Sequence, residues 1–265
     1  MLLAVDIGNT NIVVGVFNGT DLRATWRIAT DVNKMVDEYR VILDNLLPRE
    51  GLSLADIDAA ILSSVVPTLI PVFENVCQRC FKVKPLVVGS GIRTGLRILY
   101  DNPRDLGADR IVDAVAAYRQ YGGPVIVVDF GTATVFNAVS GNGDYLGGAI
   151  APGVAIAADA LFKHTSKLPR VELIRPRSAI GKNTTASIQS GLIFGYVGLV
   201  EGVVARFQRE LGDGAKVVAT GGLADIIARE TNVVDIVDPG LTLKGLHIIY
   251  GLNKASAVEE SLIRG

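Results

Sequence analysis

VDIGNTNI, residues 5–12, reappears as VDFGTATV at residues 128–135. Each copy has an aspartate at the end of an apolar run, a glycine two residues later and a short polar segment before the next apolar run. Short apolar runs bounded by glycine and polar residues are typical of strands. Each copy therefore predicts two strands joined by a tight turn, and the recurrence predicts two copies of one structural unit.

The flanking sequence extends this pattern in both halves. The first half predicts strands at residues 2–6, 11–17, 22–28, 59–65 and 85–88, with helices at 30–48 and 68–81. A helix at 110–121 leads into the second half, which predicts strands at 125–129, 133–139, 145–150 and 216–220 and one long helix at 185–211. Thr30 and Asp31 are expected to cap the first helix. The first half is of βββαβαβ type, and the second half repeats it.

Composition excludes several classes of protein. Of 265 residues, 49% are hydrophobic and 20% charged, which is typical of a folded chain and not of a disordered one. With 26 basic and 27 acidic residues the net charge is −1, so no nucleic acid or anionic membrane partner is expected. The first residues lack the basic region of a secretory signal, and Glu201 ends the longest apolar run before it could span a membrane. These features predict a cytoplasmic protein.

The chain has two cysteines, Cys77 and Cys80, in a C-x-x-C spacing. The favoured interpretation is a buried structural pair, because free cysteine usually behaves as a small hydrophobic residue. Redox or metal chemistry is the alternative. Only His164 and His247 could complete a zinc site.

The repeated Asp-x-Gly turn suits phosphate chemistry. Glycine lets backbone amides approach phosphate oxygens closely, and a carboxylate can organise Mg²⁺, which keeps several of its waters. One such turn is weak evidence, because Asp and Gly are ordinary turn residues; two at matching positions are stronger. Residues 181–184, Gly-Lys-Asn-Thr, do not complete a Walker loop. They remain open between a helix-capping turn and a substrate contact.

The segment YDNPRDLGADR, residues 100–110, concentrates reactive groups. It holds three carboxylates, two guanidinium groups and a tyrosine beside a glycine, just before a predicted helix. One interpretation is a solvated loop that leads into a capped helix. The other is a substrate pocket.

Together these motifs resemble the type III pantothenate kinases, the bacterial enzymes of coenzyme A synthesis within the actin-like ATPase superfamily. The resemblance covers essentially the full length. It rests on residues 6–11, on Tyr100, Pro103 and 107–110, on 129–134, on Gly147-Gly148 and on Pro152-Gly153, while Gly221-Gly222 resembles the adenosine motif of the superfamily. The implied fold is α/β, with two ribonuclease-H-like, actin-like ATPase domains in tandem at 1–118 and 119–265, each with a mixed βββαβαβ sheet flanked by helices, and with ATP between them.

The resemblance also implies the reaction and the site. ATP would phosphorylate pantothenate to 4′-phosphopantothenate, with Mg²⁺ and a monovalent cation, K⁺ or NH₄⁺, and the enzyme would be a homodimer. Asp109 would be the catalytic base, Asp6 would hold Mg²⁺ through water, and Asp129 would bind K⁺. ATP would be bound by Asp6, Ile7, Gly8, Asn9, Thr10, Asn11, Ile12, Val13 and Thr132, and pantothenate by Tyr100, Gly107, Ala108, Asp109, Arg110 and Thr184.

Alternatives remain open at two levels. Arg110 could pair with Asp105 or Asp113 instead of a substrate anion. The chain as a whole could be a regulatory accessory protein of the same fold, or an actin-like kinase or phosphatase for another acceptor.

Overall fold

A computed structural model gives the fold for residues 1–212 and 214–264, with side chains described as far as Ala255. It contains two mixed β-sheets and their flanking helices. The chain divides into two compact units, the first formed by 1–95, 101–116 and the segment from Thr242 onward, the second by 96–100 and 117–241.

The first unit is built on a five-stranded sheet with strand order β3-β2-β1-β4-β5. The first three strands are antiparallel neighbours, and β4 and β5 add in parallel. Its elements are β1 (Leu2–Ile7), β2 (Asn11–Asn18), β3 (Asp21–Ala29), α1 (Val36–Leu46), β4 (Ala59–Ser64), α2 (Ile70–Val76) and β5 (Leu86–Val87). This order is the predicted βββαβαβ pattern.

The second unit is built on a six-stranded sheet with strand order β6-β9-β8-β7-β10-β11. Its elements, with the helix α3 that leads into it and the final helix α7, are β6 (Arg97–Ile98), α3 (Ala108–Tyr121), β7 (Val125–Phe130), β8 (Ala133–Val139), β9 (Asp144–Pro152), α4 (Val154–Lys163), α5 (Thr184–Leu211), β10 (Lys216–Gly221), α6 (Ala224–Ala228), β11 (Ile236–Val237) and α7 (Leu241–Arg264). Without β6, the order β9-β8-β7-β10-β11 repeats that of the first sheet, which confirms the internal duplication.

Each sheet buries its own apolar core. In the first unit, side chains of β1, β2 and β4 pack with α1 and α2 around Tyr39 and Phe73, whose rings lie 4.7 Å apart. In the second, β7, β8 and β10 pack against α5 and α6. The central strands β1 and β7 are buried on both faces, which explains why they read as apolar runs in the sequence.

The unit boundaries differ from a single division at 118/119, because the chain returns. The C-terminal helix α7 joins the first unit, where its Leu243 lies against Gly15 of β2 and Gly245 lies against the backbone carbonyl of Val112. Asn253 also exchanges two hydrogen bonds with the backbone of Arg93, at 3.1 and 2.9 Å.

The expected cap of α1 is wrong. The helix starts at Val36 with Met35 as its N-cap residue, and the Glu38 carboxylate accepts a hydrogen bond from the Met35 amide at 2.8 Å. Asp31 instead accepts from the Asn33 amide at 3.0 Å within its own turn, and the Thr30 hydroxyl donates elsewhere, to Gly8. Short polar side chains bond to nearby backbone in turns as readily as in caps, so the residue type alone did not separate the two uses.

Cys77 is buried as predicted, and Cys80 is only partly buried; both are free thiols. They lie in a wide π-type turn, Cys77–Phe81, that follows α2. Burial raises the pKa of Cys77 to about 12 and also raises that of Cys80. Neither thiol is activated as a nucleophile, which favours the structural interpretation.

By length and composition α5 could cross a membrane. Its buried side chains, which include Ile193, Val197, Val200 and Val204, belong to the core of the second unit. Tyr196 on the same helix donates a hydrogen bond to the carbonyl of Pro152 at 2.8 Å. These contacts are those of a core helix in a globular fold.

Candidate active site

The first candidate phosphate turn, residues 8–10, joins β1 to β2. The Gly8 amide donates to the Asn11 carbonyl at 3.0 Å and closes the turn. Asn9 and Thr10 are exposed. Asp6, the penultimate residue of β1, is partly buried beside Ser63 of the parallel strand β4. A carboxylate and an exposed glycine turn therefore meet at the carboxyl end of β1, as predicted.

The second turn, residues 131–132, joins β7 to β8 in the same way. The Gly131 amide donates to the Ala133 carbonyl at 3.0 Å. Asp129 is the penultimate residue of β7 and pairs with Thr220 of the parallel strand β10. Gly221, with φ +91°, lies so close that an added side chain would strike the Asp129 carboxylate and the Phe130 backbone. The predicted adenosine motif thus begins directly against Asp129.

The two turns differ in length by one residue. In the first unit Asp6 pairs with Val13, seven positions later; in the second, Asp129 pairs with Val135, six positions later. The ungapped overlay of 5–12 on 128–135 is therefore correct through the glycine and displaced by one residue after it. The first turn offers one more backbone amide than the second.

The Asp109 segment lies beside the first turn. The amide of Val65, just after β4, donates to the Ile7 carbonyl at 3.0 Å and so lies next to the end of β1. A Cβ added to Gly107 would come within 3.8 Å of the Val65 side chain and 2.5 Å of an Asp109 carboxylate oxygen. Asp6 and Asp109 thus belong to the same end of the first sheet, although a hundred residues separate them in sequence.

Asp109 differs from the other two carboxylates of its segment. Asp101 and Asp105 are exposed, and Asp105 accepts a hydrogen bond from Asn102 at 2.8 Å in a single turn of 3-10 helix. Asp109 lies in the first turn of α3, where burial raises its pKa against the opposing effects of the Arg110 amide and charge. A carboxylate with a raised pKa is better matched to proton transfer near neutral pH.

Arg110 is nearly buried, with 8% of its surface exposed. Asp113, one turn later on α3, is also buried and accepts a hydrogen bond from the Thr242 hydroxyl of α7 at 2.7 Å. A buried arginine and a buried aspartate on one helix give this part of the first unit a fixed charged framework.

Tyr100 belongs to the second unit, beside strand β9. The amide of Leu99 donates to the Tyr145 carbonyl at 2.9 Å, which extends the short pairing of β6 with β9. The rings of Tyr100 and Tyr145 are 6.3 Å apart, and a Cβ on Gly147 would lie 3.6 Å from the Tyr100 ring. The ring therefore lies over a glycine of the sheet.

Thr184 is the first residue of α5, and the turn before it is a helix cap. The Asn183 side chain accepts from the Ala186 amide at 2.8 Å, and Gly181 lies directly against the Ser187 backbone. Thr184 itself is exposed. The capping interpretation of residues 181–184 is confirmed, and it leaves the Thr184 side chain available to a ligand.

Two residues named in the sequence for other reasons, Thr30 and Gly153, contact the turns, and these contacts were not predicted. Thr30 follows β3 and binds the first turn through its amide and its hydroxyl, and Gly153 follows β9 and binds the second turn through its amide. Since β3 and β9 run antiparallel to their neighbours, the residue after each must lie beside the start of β2 or β8. That was a usable signal in the predicted strand order.

The donors available for metal ions are few. Across the residues described, no three of His, Cys, Asp and Glu are grouped to hold a metal ion. Each turn supplies one carboxylate, Asp6 or Asp129. This fits Mg²⁺ that arrives with a nucleotide, because such an ion takes most of its ligands from phosphate and water.

Comparison with known proteins identifies relatives along almost the whole chain. The family model for type III pantothenate kinases matches residues 2–206. The type III pantothenate kinase of Moorella thermoacetica is 55% identical over 253 residues, which is 96% of this chain and 100% of that protein.

Solved structures support the fold at lower identity. A Campylobacter jejuni protein named for the Baf family of transcriptional activators is 21% identical, with a TM-score of 0.62 over 96% of this chain and 99% of that one. MreB5 of Spiroplasma citri, solved with AMPPNP, is 10% identical, with a TM-score of 0.55 over 98% of each chain. These likenesses confirm the predicted actin-like ATPase fold.

Proposed function

The chain belongs to the type III pantothenate kinase family, and on that premise we propose that Asp109 is its catalytic base and that the Asp6 turn binds the phosphates of ATP. The protein phosphorylates pantothenate to 4′-phosphopantothenate at the expense of ATP, within coenzyme A biosynthesis. The roles below extend that activity to individual residues.

In the reaction, the primary hydroxyl oxygen of pantothenate forms a bond to the γ-phosphorus of ATP. The bond from that phosphorus to the bridging β–γ oxygen breaks, and ADP leaves. The proton of the hydroxyl passes to the Asp109 carboxylate, which orients the oxygen before transfer. Phosphoryl transfer depends mainly on such positioning and on neutralising the phosphate charge.

One observation supports Asp109 above Asp101 and Asp105: it alone of the three is desolvated, at the end of the sheet that carries Asp6. The contacts from Ile7 through Val65 to Gly107 link its segment to the end of β1 and support this proposal. A base and a phosphate site must be neighbours for in-line transfer.

ATP would be held by residues 6–13. The extra residue in the first turn favours it as the main phosphate cradle, because it adds one backbone amide. Mg²⁺ supplied with ATP would neutralise phosphate charge, with Asp6 oriented toward its waters. Thr132, exposed in the second turn, would contact the nucleotide.

Pantothenate would be bound by Tyr100, by residues 107–110 and by Thr184. A nearly buried guanidinium such as that of Arg110 suits bidentate contact with the pantothenate carboxylate. Glycine is needed at position 107, because any side chain there would collide with the Asp109 carboxylate.

Asp129 would hold the monovalent cation, K⁺ or NH₄⁺. Its carboxylate lies at the end of a strand between two glycine-containing segments, 131–132 and 221–222. Backbone carbonyls and a single carboxylate are suitable ligands for a large, weakly hydrated cation. The Asp129 carboxylate, beside two glycine-containing segments whose backbone carbonyls would complete the site, supports this proposal.

The protein would act as a homodimer in the cytoplasm. Three glycines on α5, Gly191, Gly195 and Gly198, are exposed and have open space where a side chain would project. The second unit also exposes Ile150, Ile156 and Ile180. An apolar surface of this kind is suited to a second copy of the chain.

The test is turnover with ATP, Mg²⁺ and pantothenate, measured as ADP release and as 4′-phosphopantothenate formed, in KCl and in NaCl. Wild type should turn over faster in KCl. Asp109→Asn should lose about 10² to 10⁴ in kcat while it still binds ATP. Asp105→Asn, in the same segment, is the matched control and should stay within about twofold of wild type. Equal kcat values for the two variants would remove Asp109 from the role.

A further inference from the structure

Thr30 makes two hydrogen bonds to the turn of residues 8–10, hereafter the ATP turn. Its hydroxyl donates to the Gly8 carbonyl at 2.7 Å, and its amide donates to the Thr10 carbonyl at 3.0 Å. Thr30 is the first residue after β3 and is partly buried. Two of the three carbonyls of the turn 8–10 are therefore bonded to one residue outside it.

These bonds set the direction of the neighbouring amides. In a planar trans peptide, the C=O of one residue and the N–H of the next point in opposite directions. With the Gly8 and Thr10 carbonyls turned toward Thr30, the N–H groups of Asn9 and Asn11 point away from it. Carbonyl oxygens would repel phosphate, so this arrangement turns the repulsive groups inward and the attractive groups outward.

A buried residue of the core, Tyr39, holds the backbone next to Thr30 in place. The Tyr39 hydroxyl donates to the Asp31 carbonyl at 2.9 Å and accepts from the Asp31 amide at 3.4 Å. Tyr39 is 1% exposed and packs on Phe73. The Asp31 carboxylate also accepts from Asn33 and Lys34, which lower its pKa. The segment after β3 is therefore held at Thr30 by its bonds to the turn and at Asp31 by its bonds to Tyr39.

The duplicated unit uses the same position differently. Ala29 pairs with Asn11, and Pro152 pairs with Ala133, so Thr30 and Gly153 are equivalent. Both amides donate to the last residue of their turn, to Thr10 at 3.0 Å and to Thr132 at 3.1 Å. At Gly153 an added Cβ would collide with the carbonyls of Gly131 and Thr132. The longer first turn leaves room for a side chain, and that side chain bonds to the glycine carbonyl.

We propose that Thr30 is a positioning residue for ATP: its hydroxyl holds the Gly8 carbonyl away from the phosphates and presents the Asn9 amide to them. The role rests on the proposed function of the Asp6 turn. Thr30 touches neither the nucleotide nor the acceptor, and it acts through the peptide between Gly8 and Asn9. The effect belongs to ATP affinity and not to pantothenate affinity.

The test compares Thr30→Val, which keeps the shape and removes the hydroxyl, with Thr30→Ser, which restores it. Thr30→Val should raise the KM for ATP about tenfold, as expected when a hydrogen-bond acceptor loses its partner. The KM for pantothenate should change less than twofold, and Thr30→Ser should return the KM for ATP to within about threefold of wild type. Thr25→Val, an exposed threonine on the same strand, is the control.

Tyr39→Phe is the second probe, because it keeps the buried ring and removes both bonds to Asp31. It should raise the KM for ATP in the same direction, by a smaller factor. A Thr30→Val protein with a lower melting temperature and an unchanged KM for ATP would overturn the positioning role. Asp6→Asn separates the two hypotheses. If Asp6→Asn retains wild-type kinetics with ATP, the proposed function of the turn is wrong, and the role of Thr30 is wrong with it. If Asp6→Asn is inactive and Thr30→Val has normal kinetics, only the role of Thr30 is wrong.

Discussion

At the scale of the residue, Asp109 shows two opposing influences on one carboxylate. The N-terminal turn of α3 and the Arg110 amide, 2.8 Å from a carboxylate oxygen, favour the charged form. Burial disfavours it, and burial is the larger effect, so the pKa is raised. A helix-end position usually contributes about 0.3–1 kcal/mol, which partial desolvation of a carboxylate can exceed.

The raised pKa predicts that kcat/KM for pantothenate falls on the acid side at a pH above the ordinary range of an aspartate. The base must be deprotonated, so activity is lost as pH falls through the raised pKa. A pH–rate profile measured against Asp105→Asn checks this. An acid limb at the ordinary aspartate value, in both proteins, would contradict it.

Because its pKa is raised, the charged Asp109 carboxylate lowers the free energy of unfolding near neutral pH. A group with a raised folded-state pKa stabilises the fold below its unfolded pKa, and that stability is lost as pH rises through the folded value. The free energy of unfolding of Asp109→Asn, relative to wild type, should therefore increase with pH across this window. Asp144→Asn should behave in the opposite sense, since Arg97 lowers the pKa of Asp144. Parallel urea titrations at several pH values compare the two.

At the scale of the element, the residues that follow β3 and β9 hydrogen-bond to the turns that precede β2 and β8, and so fix the shape of those turns. The third strand of each unit runs antiparallel to the second, so it ends beside the turn that joins the first two strands. Each set of three strands therefore contains the residue that binds its own turn. The first unit uses Thr30 there and the second uses Gly153, because the second turn is one residue shorter.

Gly153→Ala should therefore displace the second turn. The added methyl would overlap backbone oxygens of Gly131 and Thr132. Because these are backbone atoms, rotation of a side chain cannot relieve the overlap. We expect a loss of about 1–3 kcal/mol in stability and at least a tenfold fall in kcat/KM for ATP. Gly251→Ala, on α7 with open space around it, is the control and should gain about 0.5–1 kcal/mol. Thermal melts and ATP kinetics decide, and a Gly153→Ala enzyme with wild-type ATP kinetics would refute the argument.

At the scale of the whole molecule, α5 has two different faces. One face supplies Ile193, Val197, Val200 and Val204 to the core of the second unit. The other exposes glycines over about two turns, where another helix could approach closely. Glycine lowers helix stability, so a run of exposed glycines is costly unless it serves packing.

The proposed dimer predicts that Gly195→Leu reduces self-association. A branched side chain on the exposed face would hold a partner away, while the unit itself has room for it. Sedimentation velocity across a range of concentrations should show a dimer for wild type and a shift toward monomer for the variant. Gly251→Leu, an exposed helix glycine on α7, controls for the change in helix propensity. A monomeric wild type at every concentration would contradict the prediction.

The sequence by itself determined the two βββ units, the two aspartate turns, the long α5 and, through the resemblance carried by its motifs, the family and the reaction. These features depend on local periodicity and on residue types at fixed spacing, which the linear order preserves. Only the tertiary structure decided that Asp109 is desolvated while Asp101 and Asp105 are exposed, that α7 returns to the first unit, and that Thr30 binds the turn of residues 8–10 and does not cap α1. Burial of a charge and the partner of a hydroxyl depend on which distant segments meet, and the spacing of residues along one segment does not contain that information.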